Sequence, residues 1–284
     1  MTAMNHLVSI TKSDGTRELF EEDKLASSLT HIGAPTDAIG GIVDQVEKEM
    51  SDGMTTSDIY RRAFALLKKH SAPLAVKYSI RRGLTELGPD GFPFEKFISR
   101  IFQAWGYETL TDQQVMGQCI FHEMDVVAWK GDALAMVEAK FHNEFTLKSD
   151  VKVALYVKAR FDDIAQNTFK YGDTERKLSE RWLFTNTKFT DQAIKYCGCN
   201  DVRLISWNFP EKDNLHDIIE KYSLHPVTCL NSITHQQKKD LIGRNAILCT
   251  DIIKDPGILT GAGVQAQFID AVVAEAHLII EKAK

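Results

Sequence analysis

Asp125, Glu138 and Lys140 are the residues whose types and spacing promise chemistry in this chain. They flank two short apolar runs, Val126-Val127-Ala128-Trp129 and Ala133-Leu134-Ala135-Met136-Val137, joined by Lys130-Gly131-Asp132. Gly131-Asp132 suits a two-residue hairpin turn, which needs backbone at positive φ. With that turn, Asp125 falls opposite Glu138. Side chains alternate along a strand, which puts Glu138 and Lys140 on the face that carries Asp125. Two adjacent carboxylates repel, and one of them tends to take up a proton unless a cation joins them. Magnesium or manganese would resolve the conflict: such an ion takes hard oxygen ligands and keeps several waters, so Asp125, Glu138 and the carbonyl of Ala139 form a partial shell. Lys140 would then position or activate a water, or neutralise charge developing on a phosphate. An acid followed by Glu-x-Lys is also the pattern of a plain surface hairpin with solvated acids.

The elements that must hold these groups belong to a chain of 284 residues, enough for two or three domains. A net charge of −5 argues against broad non-specific binding of nucleic acid, so any such contact must come from local basic patches. No apolar run approaches the ~20 residues of a membrane span, and the opening Met1-Thr2-Ala3-Met4-Asn5-His6 lacks the form of a secretory signal. A cytoplasmic protein without a membrane partner is expected. Cys119, Cys197, Cys199, Cys229 and Cys249 fit neither a disulfide framework nor the paired spacing of a zinc site, and read as reduced thiols.

Residues 1–88 read as a small hairpin followed by four helices. Val8 and Ile10 alternate with polar neighbours, Asp14-Gly15 makes a turn, and Leu19-Phe20 resume a strand. Leu25, Leu29 and Ile32 sit at helical spacing, as do Ile39, Ile42, Val43 and Val46. Thr55, Thr56 and Ser57 offer an N-cap to a third helix through Ile59, Ala63 and Leu67, and Pro73 opens a fourth. Val8-Ser9-Ile10-Thr11-Lys12-Ser13-Asp14-Gly15, Phe20 to Leu25, Gly53 to Ile59 and Tyr78 to Arg82 resemble the ATP-cone, the allosteric nucleotide-binding module of ribonucleotide reductases and of their transcriptional repressor. The resemblance implies ATP or dATP as effector, with Lys12, Glu18, Lys24 and Thr56 near the nucleotide. Ser13 stands where that family usually has Arg. Ammonium groups flanking a turn are suited to a triphosphate.

A breaker-rich stretch, Leu87 to Pro93, precedes a second unit over 91–210. Phe94, Phe97, Ile98, Ile101, Phe102 and Trp105 form one face of a helix ending at Gly106. The hairpin follows a strand-like Tyr107-Glu108-Thr109-Leu110. A helix from Asp150 then buries Val153, Val157, Phe161 and Ile164 and leaves Lys152, Lys158 and Arg160 available to phosphates. A strand at 182–186, a helix at 191–196 and a strand at 202–207 complete an α/β sheet covered on both sides. Phe94-Glu95 on the first helix, His122-Glu123-Met124-Asp125, Glu138-Ala139-Lys140 and Phe184-Thr185-Asn186 with Phe189-Thr190 resemble the PD-(D/E)XK restriction endonuclease-like fold, in its Mrr-like branch. The resemblance implies that Asp125 and Glu138 hold the metal and Lys140 assists catalysis. Glu95 would add an outer metal contact or stay a solvated first-turn acid. His122 would touch the scissile phosphate or the metal-bound water, or serve structure alone. Glu123 stands where Gly is common in restriction-like relatives.

Residues 215–284 read as a helical domain. Leu259-Thr260-Gly261-Ala262-Gly263-Val264 resembles the hairpin of helix-hairpin-helix DNA-binding modules, and a plain helical bundle or dimer contact is the alternative. The whole is a multidomain α+β chain: an ATP-cone, a central restriction endonuclease-like sheet and a C-terminal helical domain. The function expected is a magnesium- or manganese-dependent DNA endonuclease, acting on double or single strands, controlled by ATP or dATP and oligomeric with itself. Walker A spacing is absent, so nucleotide would act as effector and not as fuel. A nucleotide-sensing protein that binds nucleic acid without cutting it is the competing expectation.

Overall fold

The computed structural model describes residues 8–11, 16–30, 32–88, 91–144 and 146–281. It mixes helices with a central mixed sheet and divides into two compact units, Met1–Arg81 and Arg82–Lys284, the division falling inside the fourth helix.

In the first unit β1 (Ser9–Thr11) and β2 (Arg17–Leu19) pair antiparallel, with Ile10 opposite Glu18. The expected turn at Asp14-Gly15 and the candidate Lys12 lie outside the described residues. Four helices follow: α1 (Glu22–Thr30), α2 (Thr36–Lys48), α3 (Thr56–His70) and α4 (Ala72–Thr85). Of the three hydroxyl residues offered as caps, Thr55 takes the position: its side chain accepts from the Asp58 N–H, and Asp58 accepts from the Thr55 N–H. Ile10, Leu25, Leu29, Ile42, Val46, Ala63 and Leu67 share one core, in which the rings of Tyr60 and Tyr78 stack 5.0 Å apart.

The second unit opens with α5 (Phe92–Ala104), whose Phe94, Phe97, Ile98, Ile101 and Phe102 are all buried, as their spacing requires. Then come β3 (Glu108–Met116), β4 (Phe121–Lys130), β5 (Ala133–Lys140), β6 (Lys148–Ser149), α6 (Val151–Ile164), β7 (Thr168–Tyr171), β8 (Thr174–Lys177), β9 (Glu180–Thr185), β10 (Lys188–Phe189), α7 (Asp191–Cys199) and β11 (Arg203–Ile205). The five-stranded sheet runs β11-β9-β5-β4-β3, with β3, β4 and β5 antiparallel in succession and β5, β9 and β11 parallel. Its two faces are covered differently. Val157 and Phe161 of α6 and Ala193 of α7 pack with Val127, Met136 and Leu183; on the opposite face Phe102 of α5 lies 5.7 Å from Trp182 and 6.0 Å from Phe184, ring to ring.

Two features exceed the sequence reading. β3 runs on past Leu110 to Met116, because polar residues such as Gln113 and Gln114 still pair with β4 at a sheet edge whose outer side chains are solvated. A further hairpin, β7 with β8, turns at Gly172, where φ is +63°. The C-terminal part is helical: α8 (Leu215–Tyr222), a 3-10 turn at Val227–Cys229, α9 (His235–Gly243), α10 (Cys249–Lys254), α11 (Gly257–Gly261) and α12 (Ala266–Glu281). Val227, Leu241, Ile252, Leu259, Val272 and Ala276 form its core. Among the described residues no helix is long and apolar enough to cross a membrane.

Candidate functional site

The hairpin turn sets the geometry. With Gly131 at φ +55°, Lys130 pairs with Ala133 and the register continues without slip to Val126 opposite Val137. One step on, the ladder stops. No register pair among the described residues joins Asp125 to Glu138 on one side or to Asp112 on the other, and Asp112 has φ +55°. β5 stays paired with β9 as far as Lys140 opposite Thr185, so it leaves β4 while keeping its other neighbour. The Asp125 carboxylate fills the gap: its Oδ2 accepts the backbone N–H of Ala139 at 2.6 Å.

Charges converge where the strands part. Arg160, buried on α6, donates to Glu138 Oε2 and to the carbonyl of Glu123. Lys140 is exposed at the end of β5. Burial pushes Asp125 above the ordinary carboxylate range against the opposing pull of the Ala139 N–H and the Arg160 and Lys140 charges. Burial, then the charge on Asp125, pushes Glu138 up as well. Glu95, on α5, is raised to about 7 by burial first and then by Asp125, Asp112 and Glu123. Three acids raised first by burial thus share one neighbourhood, with Arg160 and Lys140 opposing the shift at Asp125 and Glu138.

The other candidates are placed as follows. The His122 ring is nearly buried, and its Nε2 meets Asp163 Oδ2 of α6 at 2.8 Å. Asp163 also accepts the N–H groups of Cys119 and Ile120 at 3.0 and 3.4 Å, and the His122 contact is the main cause of its depressed pKa of about 2. His122 therefore belongs to a tether between the β3–β4 loop and α6. Thr185 and Asn186 are buried, and the Asn186 amide exchanges two 2.8 Å hydrogen bonds with the backbone of His142.

Among the described residues no three His, Cys, Asp or Glu side chains form a ready-made metal cage. The donor set at the strand gap is nevertheless one a hard divalent cation fits: two half-buried carboxylates, Asp125 of β4 and Glu138 of β5, each raised first by burial, beside the exposed end of β5, where water and a phosphate could complete a shell.

The model of the AF1548-like C-terminal family matches residues 225–280. An uncharacterised protein of Archaeoglobus fulgidus is 33% identical over 184 residues, which are 64% of this chain and 99% of that protein. The chain belongs to the AF1548-like family. A crystal structure described as the protein of unknown function AF1548 is similar with a TM-score of 0.56 at 32% identity, covering 68% of this chain and 99% of that one.

In this AF1548-like chain the stretch read as a helix-hairpin-helix turn, 259–264, falls within the matched C-terminal region. Leu259 to Gly261 are the last turn of α11, and only Gly263, at φ +77°, has the left-handed backbone expected of a hairpin. A Cβ on Gly261 would come within 3.1 Å of the Arg244 guanidinium, so that glycine makes room for a side chain. In the first unit, Glu18 and Lys24 are brought together at 3.6 Å, and Lys24 also meets Glu21 at 3.0 Å. Thr56 begins α3, and the bridge between Thr11 and Thr55 lays that helix start beside β1.

Sequence reasoning had Arg160 only as one of three cations open to phosphate, and it missed Asp163 and Asp112. Arg160 and Asp163 act across a helix–sheet contact, for which the chain order carries no signal beyond their one-turn spacing on α6.

Proposed function

We propose that this chain is a divalent-metal-dependent nuclease of DNA whose activity is governed by ATP or dATP bound to its first unit. The observation that carries the reading is the antiparallel register that brings Asp125 against Glu138-Ala139-Lys140 where β4 and β5 part, with both acids held above their ordinary range. The order of elements supports it: a helix, three antiparallel strands, then a helix and a parallel strand on the far side of β5 is an arrangement compatible with the PD-(D/E)XK likeness read in the sequence.

The chain's own residues divide the work. Asp125 is aimed by the Ala139 N–H and Glu138 by Arg160, so both acids reach a bound ion in fixed orientations. The ion, magnesium or manganese, would polarise the phosphate and lower the pKa of an attacking water. Lys140, exposed and beside both acids, holds a phosphate oxygen or the attacking water and offsets charge building on the phosphate. Glu95 stands behind as a further acid, and a neutral Glu95 near pH 7 can hold a metal-bound water by donating to it. Lys24, Glu18 and Thr56, with Lys12, are the nucleotide contacts proposed for the first unit, and self-association is the proposed route of control.

A second reading, a nucleotide-sensing protein that binds nucleic acid without cutting it, is favoured by one observation: Arg160 already occupies Glu138. The deciding experiment offers the full chain supercoiled plasmid, duplex and single-stranded oligonucleotides, with magnesium or EDTA and with or without ATP and dATP. Cleavage that needs magnesium and disappears in Asp125→Asn and Lys140→Ala supports the nuclease. Binding without cleavage under all conditions gives the second reading, and cutting by both variants at the parent rate would remove the assigned site.

A further inference from the structure

Arg160 does more than neutralise one acid. Its guanidinium touches both strands at the place where their ladder ends, through Glu138 Oε2 on β5 and the Glu123 carbonyl on β4. It also lies 5.4 Å from the ring centroid of Tyr156, which is 61% exposed. A guanidinium stays charged and offers its donors in a rigid planar fork. The carboxylate oxygen it holds is one that the metal reading gives to a cation, and a guanidinium and a divalent ion cannot share it at bonding distance without repulsion. Lys140 is exposed at the end of β5, and its ammonium makes no hydrogen bond among the described residues, so it is not built to take the same place.

We propose that Arg160 is a resident counter-cation of the carboxylate pair, which rests on the metal-dependent reading above. It fixes the Glu138 rotamer before metal arrives and gives up Glu138 Oε2 when the ion enters. It keeps its hold on the Glu123 carbonyl and the Tyr156 face, and then turns the freed Nη1 donors to a phosphate oxygen of the substrate. Arg160 is thus a positioning residue for the ion and a phosphate contact once displaced.

The test is binding of Mn(II) to the full-length chain, read by electron paramagnetic resonance of the free ion, for the parent, Arg160→Gln and Arg160→Lys. Removing a partly screened unit charge from the site should tighten Mn(II) binding roughly tenfold in Arg160→Gln. Arg160→Lys, which keeps the charge, should stay near the parent, and a purely structural arginine would predict weaker binding in both. Arg160→Gln binding no more tightly than the parent overturns the proposal while leaving the metal site standing; a parent that takes up no Mn(II) removes the metal reading and the proposal together. A second measurement does not depend on how that variant folds. In the parent, the Arg160 Nε–H resonance, assigned from its loss in Arg160→Lys, should shift as Mg(II) is added. An unmoved signal at saturating Mg(II) overturns the displacement.

Discussion

The Asp125 carboxylate receives the Ala139 N–H at 2.6 Å, where a backbone carbonyl of the neighbouring strand would otherwise sit. An acid that substitutes for a strand partner is committed twice, to the sheet and to whatever binds at its other oxygen.

Asp125→Asn separates these duties. The amide keeps an acceptor for the Ala139 N–H and removes a buried charge, so stability should stay within about 1 kcal/mol of the parent or rise. Asp125→Ala loses the hydrogen bond and should cost about 1–3 kcal/mol. Magnesium-dependent cleavage should fall at least about a hundredfold in both. Denaturant unfolding beside a nicking assay checks the pair, and a marked loss of stability in Asp125→Asn would contradict the geometry.

Lys140 is exposed and outside the core, so Lys140→Ala should change stability by no more than about 0.5 kcal/mol. Cleavage should drop by roughly a hundredfold or more. An unaltered cleavage rate would take Lys140 out of the chemistry.

Glu95 should make stability depend on pH. Its folded pKa, about 7, exceeds the ordinary 4.5, so its contribution is complete below pH 4.5 and is lost as pH rises through 7. Asp125 and Glu138 are shifted in the same direction. Asp163, lowered to about 2, works oppositely, but its contribution is complete above its ordinary 3.8 and does not vary between pH 5 and 8. His225, lowered to about 4 by burial, and His142 and His235, lowered likewise, gain stability as pH rises in this window, so the effect of Glu95 is read as a difference: in EDTA, from pH 5 to pH 8, the thermal midpoint of the parent should fall relative to that of Glu95→Gln. A slope identical in parent and variant would show that Glu95 ionises normally.

His122 and Asp163 should behave as a structural pair. Asp163→Asn weakens a part-buried contact that also holds the Cys119 and Ile120 N–H groups, so it should lower the thermal midpoint. Cleavage by the folded fraction should persist, and a catalytic His122 would instead show as His122→Ala losing activity at unchanged stability.

Gly83 sets two effects against each other. Alanine in a helix gains up to about 1 kcal/mol over glycine. A Cβ at Gly83, however, would lie 2.4 Å from the buried Cys229 Sγ and 3.2 Å from the Cys229 backbone nitrogen, and overpacking costs about 1–3 kcal/mol. The clash should win, so Gly83→Ala should unfold earlier in urea, and Cys229→Ala in the same chain should recover part of the loss.

How far the sequence reached can be traced along β4 and β5. Gly131-Asp132 makes the turn, the turn sets the register as far as Val126 opposite Val137, and alternation assigns the faces, so the sequence carries the approach of Asp125 to Glu138 although the ladder stops one pair short of them. The interruption at Asp125 was hidden because Asp112, an ordinary polar residue in the string, adopts positive φ only in context. β3 was shortened in the reading because solvated edge residues blur the alternation. Arg160 and Asp163 reach the sheet from a helix, and such contacts depend on how layers stack, which periodicity along either element does not record. The helical faces of the first unit were legible for the opposite reason, since Leu25, Leu29, Ile42 and Val46 obey spacing within their own helices.

Asn186 gives and takes one hydrogen bond at the backbone of His142, and its side chain is wholly buried. A side-chain amide thereby acts as one more rung beyond the last paired residue of β5. The His142 amide proton should exchange with solvent as slowly as those of the sheet. The backbone is thus held two residues past Lys140, so the strand end that carries the ammonium is anchored beyond its last ladder pair.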